Sequence, residues 1–367
     1  MSFLSRRRRG SQRNYFTVIE NNSAGEVFDP TITTSIPTSI LWVSSDGYGA
    51  VTRGTTHDVS YTVPADGPRT WNIYCPAGLS YIRTFDMRED KIVRIDVSLL
   101  RSAWQMTAFT NSGLIMSLRD LPLGLTYAHF SSDPLITGDL SDLPLGLTVA
   151  SFSSDPLITG DLSDLPLGLT DAYFYSDLLI TGDLSDLPLG LTVASFYSDP
   201  LITGDLSDLP LGLTYAHFYS DLLITGDLSD LPLGLTVASF SSDPLITAGN
   251  VSHLVSIREF RIYSMGWSSA SVDIVLLSIS NAIHVNVNHF TYATPSLEIG
   301  GTNAVPGGNA SAATTDPMIS PGSGNSDTDW QWDAGAGKHK ALTGMAAIWI
   351  MRNNAGHAWT VTATGVA

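Results

Sequence analysis

From Leu121 onward, apolar and polar positions follow a fixed order that restarts every 22 residues. The first unit reads LPLGLTYAHFSSDPLITGDLSD, restarts follow at Leu143, Leu165, Leu187, Leu209 and Leu231, and the sixth unit decays after Thr247. Such a period marks a solenoid: one unit cannot bury its apolar face alone, so stacked neighbours share a core. Within a unit, LTYAHF alternates and predicts a short strand, with Leu125 ahead of it and Ala128 and Phe130 facing inward. Pro122 and Gly124 punctuate the chain before the strand. Ile136 and Leu140 point back to the core from the return side, and Gly138 permits the bend between them.

The central Phe anchors the register at Phe130, Phe152, Phe174, Phe196, Phe218 and Phe240. Degraded turns extend it back to Phe109 and Met87 and forward to Ile262, giving nine turns. Nine strands spaced about 4.8 Å apart make a sheet on the order of 40 Å long. Outside this region the pattern changes. From Pro30 to Ala77, SILWV, VSYTV and TWNIYC alternate between the turn signals Asp46-Gly47 and Asp66-Gly67, which predicts β structure without helices. After Trp267, SASVDIVLLSIS has the apolar spacing of a short amphipathic helix. A Gly/Ser/Thr/Asp-rich stretch to Gly337 follows, and the chain finishes with HAWTVTATG. The expected fold class is mainly β with short helices or irregular returns. A basic arm (1–29) and a β-sandwich (30–80) precede the solenoid (81–266), and an α/β cap with a long Gly/Ser-rich loop (267–367) follows it.

Composition sharpens this picture. A hydrophobic content of 43% argues against disorder. The net charge is -17, and all of the imbalance is central: Leu121 to Asn250 holds 17 aspartates and no lysine or arginine. That surface repels phosphates, so nucleic acid on the solenoid is excluded. Cys75 is the single cysteine, so no intrachain disulfide forms. No apolar run reaches transmembrane length. No apolar stretch follows the basic cluster Arg6, Arg7, Arg8 and Arg9, so a secretory signal is not expected.

The repeats compare themselves. Across the five complete units, 18 of 22 positions are identical, and only the seventh, ninth, eleventh and fourteenth change. The first three alternate around the inward Ala and Phe, which places them on the outward face of the strand. The seventh column reads Tyr127, Val149, Asp171, Val193, Tyr215, Val237; the ninth reads His129, Ser151, Tyr173, Ser195, His217, Ser239. The eleventh reads Ser131, Ser153, Tyr175, Tyr197, Tyr219, Ser241. Tyr and His give amphipathic contacts at modest entropic cost, so the ligand-binding candidates are Tyr127, His129, Asp171, Tyr173, Tyr175, Tyr197, Tyr215, His217 and Tyr219. Drift at solvated positions is the bland alternative, but it leaves unexplained why Asp139, Ser141 and Asp142 do not vary. Stacked acidic columns at Asp139 and Asp142 make calcium the one cation to weigh. Roles in turns and caps account for these aspartates better, because no Asp-rich calcium consensus loop is present.

Enzyme chemistry is not expected. GAGKHK (335–340) lacks the first Gly and the final Ser/Thr of a phosphate loop, with Trp332 and His339 in their places. His284 and His289 lack partners for a zinc set, and no Gly-x-Ser-x-Gly elbow occurs. A glycoside hydrolase would need one acid pair set apart by its environment, whereas here acid pairs recur with the scaffold.

Several segments resemble known families. Phe85-x-Met87-x-x-Asp90-x-Ile92 resembles the L-x-L-x-x-N-x-L core of leucine-rich repeats, and ITGDLSDLP resembles a phrase of the plant type. The usual Asn is replaced by Asp133, Asp155, Asp177, Asp199, Asp221 and Asp243. Ionised Asp only accepts hydrogen bonds, so this ladder either leans on backbone N–H groups or partly faces solvent. Trp42, Asp46-Gly47, Tyr61, Asp66-Gly67 and Trp71 to Cys75 resemble a polycystic-kidney-disease-type (PKD) sandwich, with Ser45 in place of the first turn Gly. Val272-Asp273, Gly301 to Pro306 and Trp359 to Thr362 resemble the C-terminal cap of repeat proteins encoded by Bacteroidetes and their phages, with Ala358 in place of a Gly. These resemblances imply a phage virion protein: a spike, fibre or tail adhesin. Arg6 to Arg9 would anchor it to virion partners, and the strand face would meet a host-surface glycan or protein. A homo-oligomer is compatible with this. A bacterial surface adhesin of the same architecture and a virion spacer without a receptor are the alternatives.

Overall fold

The computed structural model describes residues 15–20, 22, 24–77, 79, 82–86, 92–95, 105–109, 114–132, 135–285, 295–300, 302–304, 306, 330–333, 338–353 and 359–363. Among these residues the fold is mainly β, with parallel repeat strands and two α-helices. The chain divides into two compact units, Met1–Thr159 and Gly160–Ala367.

In the second unit the expected strands form at Asp171–Tyr175, Val193–Tyr197, Tyr215–Tyr219, Val237–Ser241 and Glu259–Tyr263. They pair in parallel and in register, so Phe174, Phe196, Phe218, Phe240 and Ile262 make one column. The column is fully buried, and successive Phe rings stack with centroids 5.6–5.7 Å apart. Leu169 and Ala172 and their equivalents are buried beside it, as are Ile180 and Leu184 from the return side. The returns are more regular than expected. Ile180–Asp183, Ile202–Asp205, Leu223–Asp227 and Ile246–Thr247 pair as a second set of parallel strands. The first three each pass into a one-turn 3-10 helix spelled Leu-Ser-Asp.

The return glycines do more than bend the chain. Gly204 has φ of +124°, and a Cβ there would lie 2.6 Å from the Leu184 nitrogen, so the return strand touches the preceding turn at this residue. Each of these repeat strands is followed by a serine in the left-handed region, for example Ser198 at φ 58° and Ser220 at φ 58°. Serine is seldom found there. Its N–H donates to the carbonyl of the next strand, as from Ser198 to Tyr219 at 2.7 Å.

In the first unit, Gln105–Phe109, Tyr127–Ser131 and Val149–Ser153 pair in the same way. One register differs from expectation: Ala108, not Phe109, sits opposite Phe130. Phe109 is only 21 residues before Phe130, and a one-residue slip along a strand changes face. Met87 and Asp90 lie outside the described residues.

The N-terminal β region starts earlier than expected. Tyr15–Glu20 and Val27–Phe28 are strands, although both fall in the segment read as a basic arm. Tyr15–Glu20 pairs antiparallel with Arg69–Tyr74, which pairs with Thr31–Ser44. Thr31–Ser44 then pairs antiparallel with Ile82–Asp86, and that strand pairs in parallel with Gln105–Phe109. The N-terminal strands therefore extend the repeat sheet of this unit. Among the described residues before Ile82, the short pair Val27–Phe28 and Tyr61–Thr62 forms a separate sheet, with Phe28 stacked on buried Trp71 at 4.5 Å. Arg69 is buried and spans Glu20 at 3.4 Å and Asp46 at 3.0 Å. The Ser44 and Tyr61 hydroxyls and Arg69 hold the Asp46 carboxyl down at about 2, against a smaller opposing effect of burial.

At the other end, the expected helix forms as α1 (Ser269–Val285), followed by α2 (Gly344–Arg352). Strands Ser296–Gly300 and Thr360–Ala363 continue the parallel pairing beyond Glu259–Tyr263. Asn303 of the Gly-Thr-Asn phrase is buried. Its Oδ1 accepts from the Met265 and Trp267 N–H groups at 3.0 and 3.2 Å, and its Nδ2 donates to the Ile262 carbonyl at 3.1 Å. The long Gly/Ser-rich stretch lies outside the described residues.

Candidate functional site

The outward positions of the repeat strands gather the side chains that vary between units. In the first unit Tyr127 and His129 are half-buried neighbours, with the Tyr127 hydroxyl 3.4 Å from His129 Nδ1. In the second unit Asp171, Tyr173, Tyr175, Tyr197, Tyr215, His217 and Tyr219 all lie half-buried on one face. Tyr197 and Tyr219 stack in near-parallel planes at 4.3 Å, and Tyr175 sits 6.0 Å from Tyr197. The Tyr175 hydroxyl is 2.9 Å from Ser195 Oγ. Asp171 accepts the Thr170 hydroxyl at 2.6 Å. Large and small residues alternate across this face: Tyr173, Ser195, His217 and Ser239 follow one another on adjacent strands. The long side chains lean over the short ones, leaving Ser195 without exposure.

Four residues that the repeat comparison did not single out complete the face. Glu259, Arg261 and Tyr263 occupy the seventh, ninth and eleventh columns of the turn anchored at Ile262. Glu298 follows opposite Arg261. Stepping the variable columns forward by one more period would have found the first three. Arg261 pairs with Glu259 at 2.5 Å and with Glu298 at 3.5 Å. Burial, and then the positive charge of Arg261, lower the His217 imidazole below its ordinary range against the opposing pull of Glu259.

The aspartate column resolves in favour of backbone donors. Asp155, Asp177, Asp199, Asp221 and Asp243 are fully buried. The N–H groups of Asp177, Asp199 and Asp221 donate to the Oδ1 atoms of Asp199, Asp221 and Asp243 at 2.9, 3.0 and 2.8 Å. The second oxygens of those three acceptors take N–H bonds from Tyr197, Tyr219 and Ser241 at 3.0–3.1 Å. Burial outweighs these bonds and raises Asp199 to about 6, Asp221 to about 8 and Asp243 to about 7. Asp133 lies outside the described residues.

Asp139 acts as a cap. It accepts from the Ser141 N–H and hydroxyl at 3.1 and 2.7 Å, and from the Thr159 hydroxyl at 3.2 Å. These bonds, the Ser141 hydroxyl first, lower its carboxyl. Asp161, Asp183 and Asp205 cap in the same way and are also lowered, chiefly by the Ser N–H two residues on. Asp142 pairs with the exposed Arg119 at 3.2 Å. Among the described residues, no group of three or more His, Cys, Asp or Glu side chains is placed to hold a metal. Arg6 to Arg9 and His289 lie outside the described residues.

A rival surface lies at the corner before each strand. Leu167, Leu189, Leu211 and Leu233 of the second unit are 66–88% exposed, and Leu123 and Leu145 in the first are 80–87% exposed. Single exposed leucines are ordinary, but one in every turn makes an apolar column. No protein-family model, curated protein or solved structure matches this chain.

Proposed function

We propose that this chain is a leucine-rich-repeat-like attachment protein of a bacteriophage particle. It recognises a host-surface glycan or protein through the outward face of its repeat strands. One observation carries the reading. Three of the four positions that vary between otherwise identical units are the outward strand positions, where Tyr, His and Asp side chains collect on one face. Aromatic and amphipathic residues gathered on a rigid strand scaffold are the composition of a recognition surface. The acidic, Lys/Arg-free central segment directs that recognition away from nucleic acid. The PKD-like start and the cap-like end support a display protein, and the basic stretch Arg6 to Arg9 suits anchoring to an acidic partner on the particle. The aspartate pairs recur with the scaffold, which supports binding over catalysis.

The test is adhesion of the purified whole chain to candidate host cells. Wild type is compared with a variant carrying Tyr127, Tyr173, Tyr175, Tyr197, Tyr215 and Tyr219 changed to Ser. The wild type binds and the variant, with unchanged circular dichroism, loses at least about tenfold in affinity, equivalent to about 1.4 kcal/mol. Equal adhesion by both contradicts the strand-face reading, and adhesion by neither favours a spacer.

A further inference from the structure

One repeat strand differs from the rest: all five residues of Val237–Ser241 are buried. Its outward side chains are small, and Val237, Ser239 and Ser241 are only 8%, 9% and 6% exposed. The strands on either side carry long ones. In register with Val237, Ser239 and Ser241 stand Tyr215, His217 and Tyr219 on one flank and Glu259, Arg261 and Tyr263 on the other. The small strand is thus the floor of a narrow trench along the strands, and the long side chains on either side close over it.

The trench has the groups that a sugar ring uses. Tyr219 and Tyr263 stand in register on either side of Ser241, their backbones two strand spacings or about 9.6 Å apart. That is close to twice a ring-stacking distance of about 4.5 Å, and each tyrosine has a neighbour on its far side, Tyr219 stacking on Tyr197 at 4.3 Å and the Tyr263 ring lying beside Gly300, so one ring fits above Ser241 where the two part. Ser241 Oγ is buried between them and has no hydrogen-bond partner among the described residues. Such a hydroxyl is costly unless something bonds to it. Farther along, Arg261 is held between Glu259 and Glu298, which fixes one forked donor and two carboxylate acceptors side by side. The triad already neutralises its own arginine and keeps a net negative charge. Together with the acidic, cation-free segment beside it, it disfavours an anionic ligand. His217, held neutral by burial and by Arg261, can both donate and accept.

We propose that the trench over Val237–Ser241 is a subsite for a neutral sugar residue. Its ring parts Tyr219 from Tyr263, one hydroxyl bonds Ser241 Oγ, and others reach Arg261 on the wall and Glu298 behind it. This rests on the strand-face reading and names the ligand class for one part of that face. No covalent step is involved.

The test is a printed array of neutral and acidic glycans probed with the labelled whole chain, run beside the cell-adhesion assay. Variants are Tyr263→Ser on the trench wall, Glu298→Gln on the strand behind that wall, and Leu189→Ser in the exposed corner column away from the face. Tyr263 is 45% exposed, so its replacement leaves the core intact. Wild type binds neutral glycans and passes over acidic ones. Tyr263→Ser and Glu298→Gln each weaken binding by about tenfold or more, while Leu189→Ser stays within about twofold. Preference for acidic glycans, or wild-type binding by both trench variants, overturns the subsite. If no neutral glycan binds while cells are still bound through the tyrosines, the subsite falls and the strand-face reading stands. If neither cells nor glycans are bound, both fall.

Discussion

Raising the pH from about 4 to about 8 lowers the unfolding free energy of this chain by about 3 kcal/mol or more. The cause is the buried column of Asp199, Asp221 and Asp243, whose carboxyls are raised to about 6, 8 and 7. A raised folded value means that the native state holds protons the unfolded chain has released. The stabilisation is therefore complete below about pH 4, the ordinary aspartate range, and is lost as the pH climbs through the folded values. The lowered caps Asp139, Asp161, Asp183 and Asp205 act in the opposite sense. Their contribution is present above about pH 4 and lost as the pH falls through their folded values. Stability peaks where the two limbs meet, on the acid side of neutrality.

Asp221→Asn separates the column from the caps. Both Asp221 oxygens accept N–H groups, so an amide turns one NH₂ toward a backbone donor. The variant is less stable than wild type at pH 4, by about 1–2 kcal/mol. Its slope between pH 4 and pH 8 is shallower, so the two curves converge or cross. Urea midpoints of both proteins across that range decide the matter. A flat wild-type curve, or a variant of equal slope, would falsify the protonated column.

Gly204→Ala destabilises the chain by about 3 kcal/mol or more. Two effects combine: φ is +124°, and the new Cβ would meet Leu184 atoms at 2.6 and 2.8 Å. Part of that contact is backbone, which cannot swing away. Ser198→Gly is the control in the next turn element. Its φ is 58°, where a side chain costs about 1 kcal/mol, so removing it is neutral or stabilising. Thermal melts of the two variants beside wild type test the pair. An alanine at 204 that melts with the wild type would show that the returns do not approach each other as described.

The period and the alternation made the core legible: Ala172, Phe174, Ile180 and Leu184 are buried as their spacing requires. Phe109 misled because a bulky apolar residue one step out of phase looks like an anchor, while the true partner of Phe130 is the small Ala108. Tyr15–Glu20 carried its own alternating signal in YFTVIE, masked by the arginines ahead of it. The fate of the aspartate column could not be read locally. Asp221 is raised because its own turn and its neighbours bury it together, which is a property of the stack. The left-handed serines gave no local sign, since serine is not the residue that φ near +60° usually selects. The site was half legible. Variation between units pointed to the Tyr and His columns, but the trench needs two tall strands beside a short one. One of those strands, Glu259–Tyr263, lies where the repeat has decayed.

The most direct measurement is hydroxyl-radical footprinting of the whole chain bound to host cells, compared with the free chain. Protection of Tyr197, Tyr215, Tyr219 and Tyr263, with unchanged oxidation of the exposed leucines Leu167, Leu189 and Leu211, is the predicted result. Protection of the leucine column with the tyrosines reacting as in the free chain would contradict it, and would move recognition to the corner of the repeats.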